Sequence, residues 1–76
     1  MPHYYFHIRS RDRRIEDLEG GEFDTLGAAL KEARLAAREM LANDIRQGRI
    51  DETRLFEIVD EQGQLVASLP FGKVLD

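Results

Sequence analysis

One stretch limits what this chain can fold into more than any other. Between Thr25 and Gln47, apolar residues recur at 26, 29, 30, 33, 36, 37, 40, 41 and 45. Steps of three and four lay a stripe along one side of an α-helix. The ends of the stretch agree with that reading. Asp24 or Thr25 offers a side-chain oxygen to the free N–H groups of the first turn. The acidic residues before it suit the positive end of the helix dipole, and Arg46 and Arg49 suit the negative end. Gly48 supplies the left-handed stop. A helix over Thr25–Gln47 needs a surface to cover, so the flanking segments must provide one.

They read as short strands. Residues 3–9 alternate, with Tyr4, Phe6 and Ile8 on one side and His3, Tyr5, His7 and Arg9 on the other, the pattern of a half-buried strand. Ser10-Arg11-Asp12-Arg13 reverses the chain. Arg14–Leu18 forms a second strand anchored by Ile15, and Gly20-Gly21 breaks it. After the helix, Ile50 tethers a polar connector. Leu55–Val59 is a third strand and Asp60–Gly63 a turn with Gly63 in the left-handed position. Gln64–Leu69 is a fourth strand, ended by Pro70. Phe71 folds back on the core, and the last three residues are expected to fray.

The order β-β-α-β-β predicts an α+β fold: one long helix on one face of a four-stranded, mostly antiparallel sheet. The expected core sets Tyr4, Phe6, Ile8, Ile15, Phe56, Ile58, Leu65, Leu69 and Phe71 against Leu26, Leu30, Ala33, Ala37, Met40 and Leu41. The alanines at 28, 29, 33, 36 and 37 let the helix sit close to the sheet.

Size bounds the stability. A chain of 76 residues is read as a single domain, and a domain this small buries only about 60% of the surface of its unfolded chain. It has no cysteine to staple itself with. Met1-Pro2-His3 leads into alternating residues, not an apolar signal segment, and no apolar run reaches the ~20 residues of a membrane span. The expectation is a soluble cytoplasmic protein with no membrane contact. A net charge of −4 argues against nucleic acid as the main partner. The charge is unevenly placed: Arg9, Arg11, Arg13 and Arg14 precede Glu16, Asp17, Glu19, Glu22 and Asp24.

Several short features together resemble a family of very short bacterial proteins classed as a domain of unknown function. They are Tyr5-Phe6, Glu19-Gly20 with Glu22, Ala29 with Glu32-Ala33, Phe56-Glu57-Ile58 with Asp60-Glu61 and Gly63, and Pro70-Phe71. The likeness runs over nearly the whole chain. It departs at the first turn, where the family usually has Asp or Gly and this chain has Arg11-Asp12-Arg13. The resemblance implies the segment boundaries and a cytoplasmic placement, and carries no catalytic residue across.

The residues give little support to catalysis or to a cofactor. His3 and His7 share a strand face but lie about 13 Å apart at ~3.3 Å per residue, too far for one zinc ion with bonds of about 2.0–2.1 Å. The acidic run from Asp17 does not fit a calcium loop, because its glycine falls at the wrong step and Ala28 stands where a glutamate is required. Ser10 and His7 have no carboxylate placed behind the imidazole, so no triad forms. The chain is read as a non-enzyme with no catalytic, cofactor or metal residues. A basic surface of Arg9, Arg11, Arg13 and Arg14 beside His3 and His7, with Tyr5 for stacking, is the candidate for binding phosphate or nucleic acid.

Two surplus surfaces point instead to self-association. The helix spans about 34 Å and strands of six or seven residues only about 20–23 Å, so Met40, Leu41 and Ile45 overhang. The sheet face away from the helix collects Tyr5, Leu55, Val59 and Val66. Apolar patches of this kind are usually interfaces, and a two-fold dimer is the commonest outcome. The leading expectation is a homodimeric protein-interaction or accessory module, whose partner is another protein. The alternative is a small anion or nucleic-acid binder.

Overall fold

The computed structural model describes residues 1–75. A helix, α1, spans Leu26–Arg46, one residue inside each predicted end. Thr25, not Asp24, is the cap: its Oγ1 accepts from the Ala28 N–H at 3.1 Å. At the other end Gly48 takes φ 81°. There the Gly48 N–H donates to the Ile45 carbonyl at 3.1 Å and the Arg49 N–H to the Asp44 carbonyl at 3.0 Å. These two bonds form a Schellman stop, which satisfies carbonyls the helix leaves free.

The strands are β1 (His3–Arg9), β2 (Arg14–Ile15), β3 (Gly21–Glu22), β4 (Leu55–Val59) and β5 (Leu65–Pro70), and a 3₁₀ turn at Phe71–Leu75 follows. The sheet runs β2-β1-β4-β5, with β3 beside the start of β1, and every pairing is antiparallel. The α+β architecture of one helix against an antiparallel sheet is as read from the sequence. The helix packs Ala33, Ala37 and Leu41 against Phe56, Ile58 and Leu69 and against Phe71 and Val74 of the 3₁₀ turn. Buried alanines one turn apart bring the helix axis close to the strands, so large side chains on the sheet fill the layer between.

Four details differ from expectation. First, Gly21 is not a breaker: with Glu22 it forms β3, paired with Tyr4 and His3. Second, β2 is only two residues long, and Ile15 is 52% exposed. It pairs with Ile8, but the buried helix stripe centres on β4, β5 and the turn, so an edge residue beyond them stays open. Third, Leu65 is 58% exposed. A bulge in β5 sets Val59 opposite Leu65 while Ile58 stands opposite Ala67. The extra residue, Val66, turns Leu65 to the outer face and leaves Ala67 and Leu69 inside. Fourth, Val74 does not fray: it is buried in the core, while Asp76 lies outside the described residues.

The same turn closes the expected overhang of the helix. Leu41 is 2% exposed and shares the buried cluster with Phe71 and Val74, and Met40 packs on that cluster. Leu41 belongs to the core and Met40 is half-buried against it, while Ile45 remains exposed. Ile50, read as a tether, is exposed too. Arg54 holds the connector in its place. Its guanidinium pairs with Asp44, donates to the Asp51 carbonyl at 3.2 Å, and lies 4.8 Å from the ring centre of Phe71.

Candidate self-association surface

The helix-free face is built from cross-strand rows. Alternation and the β5 bulge fix which residues share a row. Tyr5 stands opposite Val59, and Val59 opposite Leu65. The next row is His7, Glu57 and Ser68, and the one beyond is Arg9, Leu55 and Pro70. The middle row is polar. Glu57 accepts from Arg9 Nε at 3.0 Å and from Arg14 Nε at 3.3 Å. It therefore separates Leu55 from Val59, and the four residues expected to form one patch do not. Instead Leu65 stands opposite Val59, and Leu18, 83% exposed, lines a shallow groove with Tyr5, Val59, Asp17, Asp60 and Glu61. Sequence reasoning missed Leu18 and Leu65. Leu18 lies among acids in a short loop, and Leu65 changes face only through a bulge that alternation does not reveal.

The loop that carries Leu18 is pinned by Asp17. The outward N–H groups of β1 fall on alternate residues. β3 faces that of Tyr4 and β2 that of Ile8, which leaves Phe6 between them with no strand beside it. Asp17 fills the gap: its Oδ2 accepts from the Phe6 N–H at 3.0 Å. Its Oδ1 accepts from the N–H groups of Gly20 at 3.0 Å and Glu19 at 3.3 Å. Partial burial opposes ionisation of this carboxyl, but the bonds from Phe6, Gly20 and Glu19, with His7 nearby, outweigh it and hold the group below its ordinary value of 3.8.

Gly20 closes the loop at φ 64°, where a Cβ would stand 2.5 Å from the Tyr4 carbonyl oxygen and 2.9 Å from the Tyr5 ring. Only glycine fits both the backbone angle and the space.

His3 and His7 are drawn into the same device. His3 Nε2 donates to the Glu19 carbonyl at 2.7 Å. His7 Nδ1 accepts from the Asp17 N–H at 3.0 Å, which places its ring proton on Nε2. Tyr5 lies between them, its ring centre 5.0 Å from His3 and 6.3 Å from His7, nearly parallel to the latter. Both imidazoles thus hold backbone in place.

The arginines do not converge on one surface. Arg9 and Arg14 pair with Glu57, and Arg14 also with Glu16 at 3.2 Å. Arg11 and Arg13 have no ion pair among the described residues. Arg13 instead lines a groove of about 420 Å³ with Ile8, Ile15, Ile50, Arg49 and the Asp44–Arg54 pair. At that end Asp51 accepts from the hydroxyl and N–H of Thr53, and this keeps its carboxyl below the ordinary range.

No helix among the described residues is long and apolar enough to cross a membrane. What the fold defines is a small α+β protein with one helix on an antiparallel sheet and an open face behind it. The family model for Domain of unknown function (DUF6894) matches residues 3–72, and the chain belongs to that family. No curated protein and no solved structure matches it.

Proposed function

We propose that this chain is a non-catalytic protein-interaction module that acts as a homodimer, joined through the helix-free face at the β4–β5 end. The observation that carries the reading is that exposed Leu18 and Leu65 flank Tyr5 and Val59 on a face no helix covers, with Val66 exposed at the adjoining bulge. In a chain with marginal burial and no staple, a second copy is the occupant that adds most stability. Self-complementary contact across a two-fold axis uses the same patch twice. Catalysis has no part in this reading, because Asp17, His3 and His7 are engaged with backbone groups. A cytoplasmic setting belongs to the same proposal and suits a chain without cysteine.

The test is mass in solution. Light scattering behind size exclusion is expected to give a dimer for the wild type and a monomer for Leu65→Glu. Leu55→Glu, on the far side of the Glu57 row, leaves the dimer intact. A wild type that stays monomeric at millimolar concentration overturns the reading. The second reading, an anion or nucleic-acid contact, rests on the guanidiniums of Arg11 and Arg13, which have no ion pair among the described residues. It predicts salt-dependent binding of single-stranded DNA that Arg11→Ala with Arg13→Ala abolishes.

A further inference from the structure

The two sides of the sheet are finished differently. On the β1 side, two short strands and the Asp17 carboxylate occupy the outward N–H groups. On the other side, β5 pairs with β4 alone, and no strand lies beyond it among the described residues. β5 reads Leu-Val-Ala-Ser-Leu-Pro. It carries no charge in a chain whose residues are 34% charged. Natural edge strands are commonly guarded by charge, by proline or by a covering loop. This one has a proline at its end and a bulge at Val66, and neither charge nor a covering strand between them.

The ladder shows which backbone groups are open. Antiparallel pairs alternate between those that exchange hydrogen bonds and those that do not. The Phe71 N–H donates to the Arg54 carbonyl at 3.0 Å, which sets the phase. Counting back along the register, Leu69 and Ala67 bond to Phe56 and Ile58, whereas Pro70 opposite Leu55 and Ser68 opposite Glu57 do not. The N–H and C=O of Ser68 and the C=O of Pro70 therefore point away from β4.

We infer that two copies join edge to edge through β5, antiparallel, with the two-fold axis at Ser68. This rests on the self-association reading for the existence of a dimer and places the join along the β5 edge, which takes in Leu65 and Val66 but not Leu18 or Tyr5. At the axis, each Ser68 N–H donates to the Ser68 carbonyl of the other copy. The Pro70 carbonyl is a further acceptor, while its missing N–H and the bulge at Val66 confine the pairing to the stretch between them. A second copy of this chain is the fitting occupant for two reasons. The axis residue is the midpoint between the two limits, so the edge is its own complement. The uncharged strand is also where two molecules of net charge −4 approach with least repulsion. Leu65 and Val66 start the same strand, so the exposed cluster continues into the join.

Two variants test this. By the phase of the ladder the Ser68 N–H points away from β4 and bonds no strand among the described residues, so Ser68→Pro leaves the fold in place and removes both bonds at the axis. Its dimer dissociation constant is expected to rise about 10–100-fold, with an unchanged far-UV spectrum. In the cysteine-free background, Ser68→Cys is expected to form a disulfide-linked dimer on mild oxidation, since facing α-carbons lie about 5.5 Å apart. Gln64→Cys is not, because its mate lies about 27 Å away at ~3.4 Å per residue. If Ser68→Pro fails to fold, the ratio of these two cross-links decides. A wild-type dimer that tolerates Ser68→Pro unchanged, or cross-links equally at 64 and 68, overturns the edge geometry and leaves the self-association reading standing. A monomeric wild type removes both.

Discussion

Asp17 is the residue on which the first half of the sheet depends. It stands in for a missing strand residue by giving two oxygens to three backbone donors. In Asp17→Asn the amide turns an N–H toward Phe6 or toward Gly20, so at least one donor loses its acceptor. The loss at neutral pH is expected to be about 1–3 kcal/mol, read by urea unfolding. Its pH dependence has a definite sign. Because the native carboxyl titrates below 3.8, its contribution is complete above the ordinary range and disappears as pH falls through the native value. The gap between wild type and variant is therefore expected to narrow as pH falls below the ordinary carboxylate value. A gap that stays constant with pH would assign the effect to shape and not to charge.

Among the elements, the 3₁₀ turn does more than its length suggests. Phe71 is fully buried, packs 5.0 Å from the ring of Phe56, and carries Arg54 on its other side. Phe71→Ala is expected to cost about 3–5 kcal/mol, a large share of what a chain this size possesses. Loss of the cooperative thermal transition would show it. The turn also bears on what the sequence made legible. The helix could be read to within a residue because periodicity, cap and stop all acted on the same short range. Phe71 could be read because an aromatic after Pro70 has nowhere else to go. Val74 could not, since its burial depends on where a helix many residues earlier ends.

The same limit explains β3 and Leu65. Gly21 joins a strand because Tyr4 offers it a partner, and Leu65 faces outward because β4 and β5 slip by one residue at the bulge. Pairing decides both, and no local pattern records pairing. Alternation put Tyr5 and Val59 on the helix-free side, and the register pairs them there, whereas the bulge at Val66 is set by pairing. The breadth of the candidate surface was overstated at Leu55, because the Glu57 row depends on two arginines from other elements.

At the scale of the whole molecule, one face of the sheet is covered and the other is not. If a second copy joins the open side of the sheet, stability becomes a matter of mass action. The melting temperature is then expected to rise by on the order of 3–5 °C for each tenfold increase in protein concentration. Scanning calorimetry at two concentrations measures it. A midpoint independent of concentration means each chain melts alone.

The cap that Asp17 places on Phe6 has a consequence for growth. A sheet that could recruit neighbours along both margins would go on adding copies and end as a fibre. Here the β1 margin carries only two strands of two residues each, with the Asp17 carboxylate filling the gap between them, so it offers no continuous ladder to a neighbour. The proposed edge-to-edge association would therefore stop at two, with a single carboxylate helping to set that number.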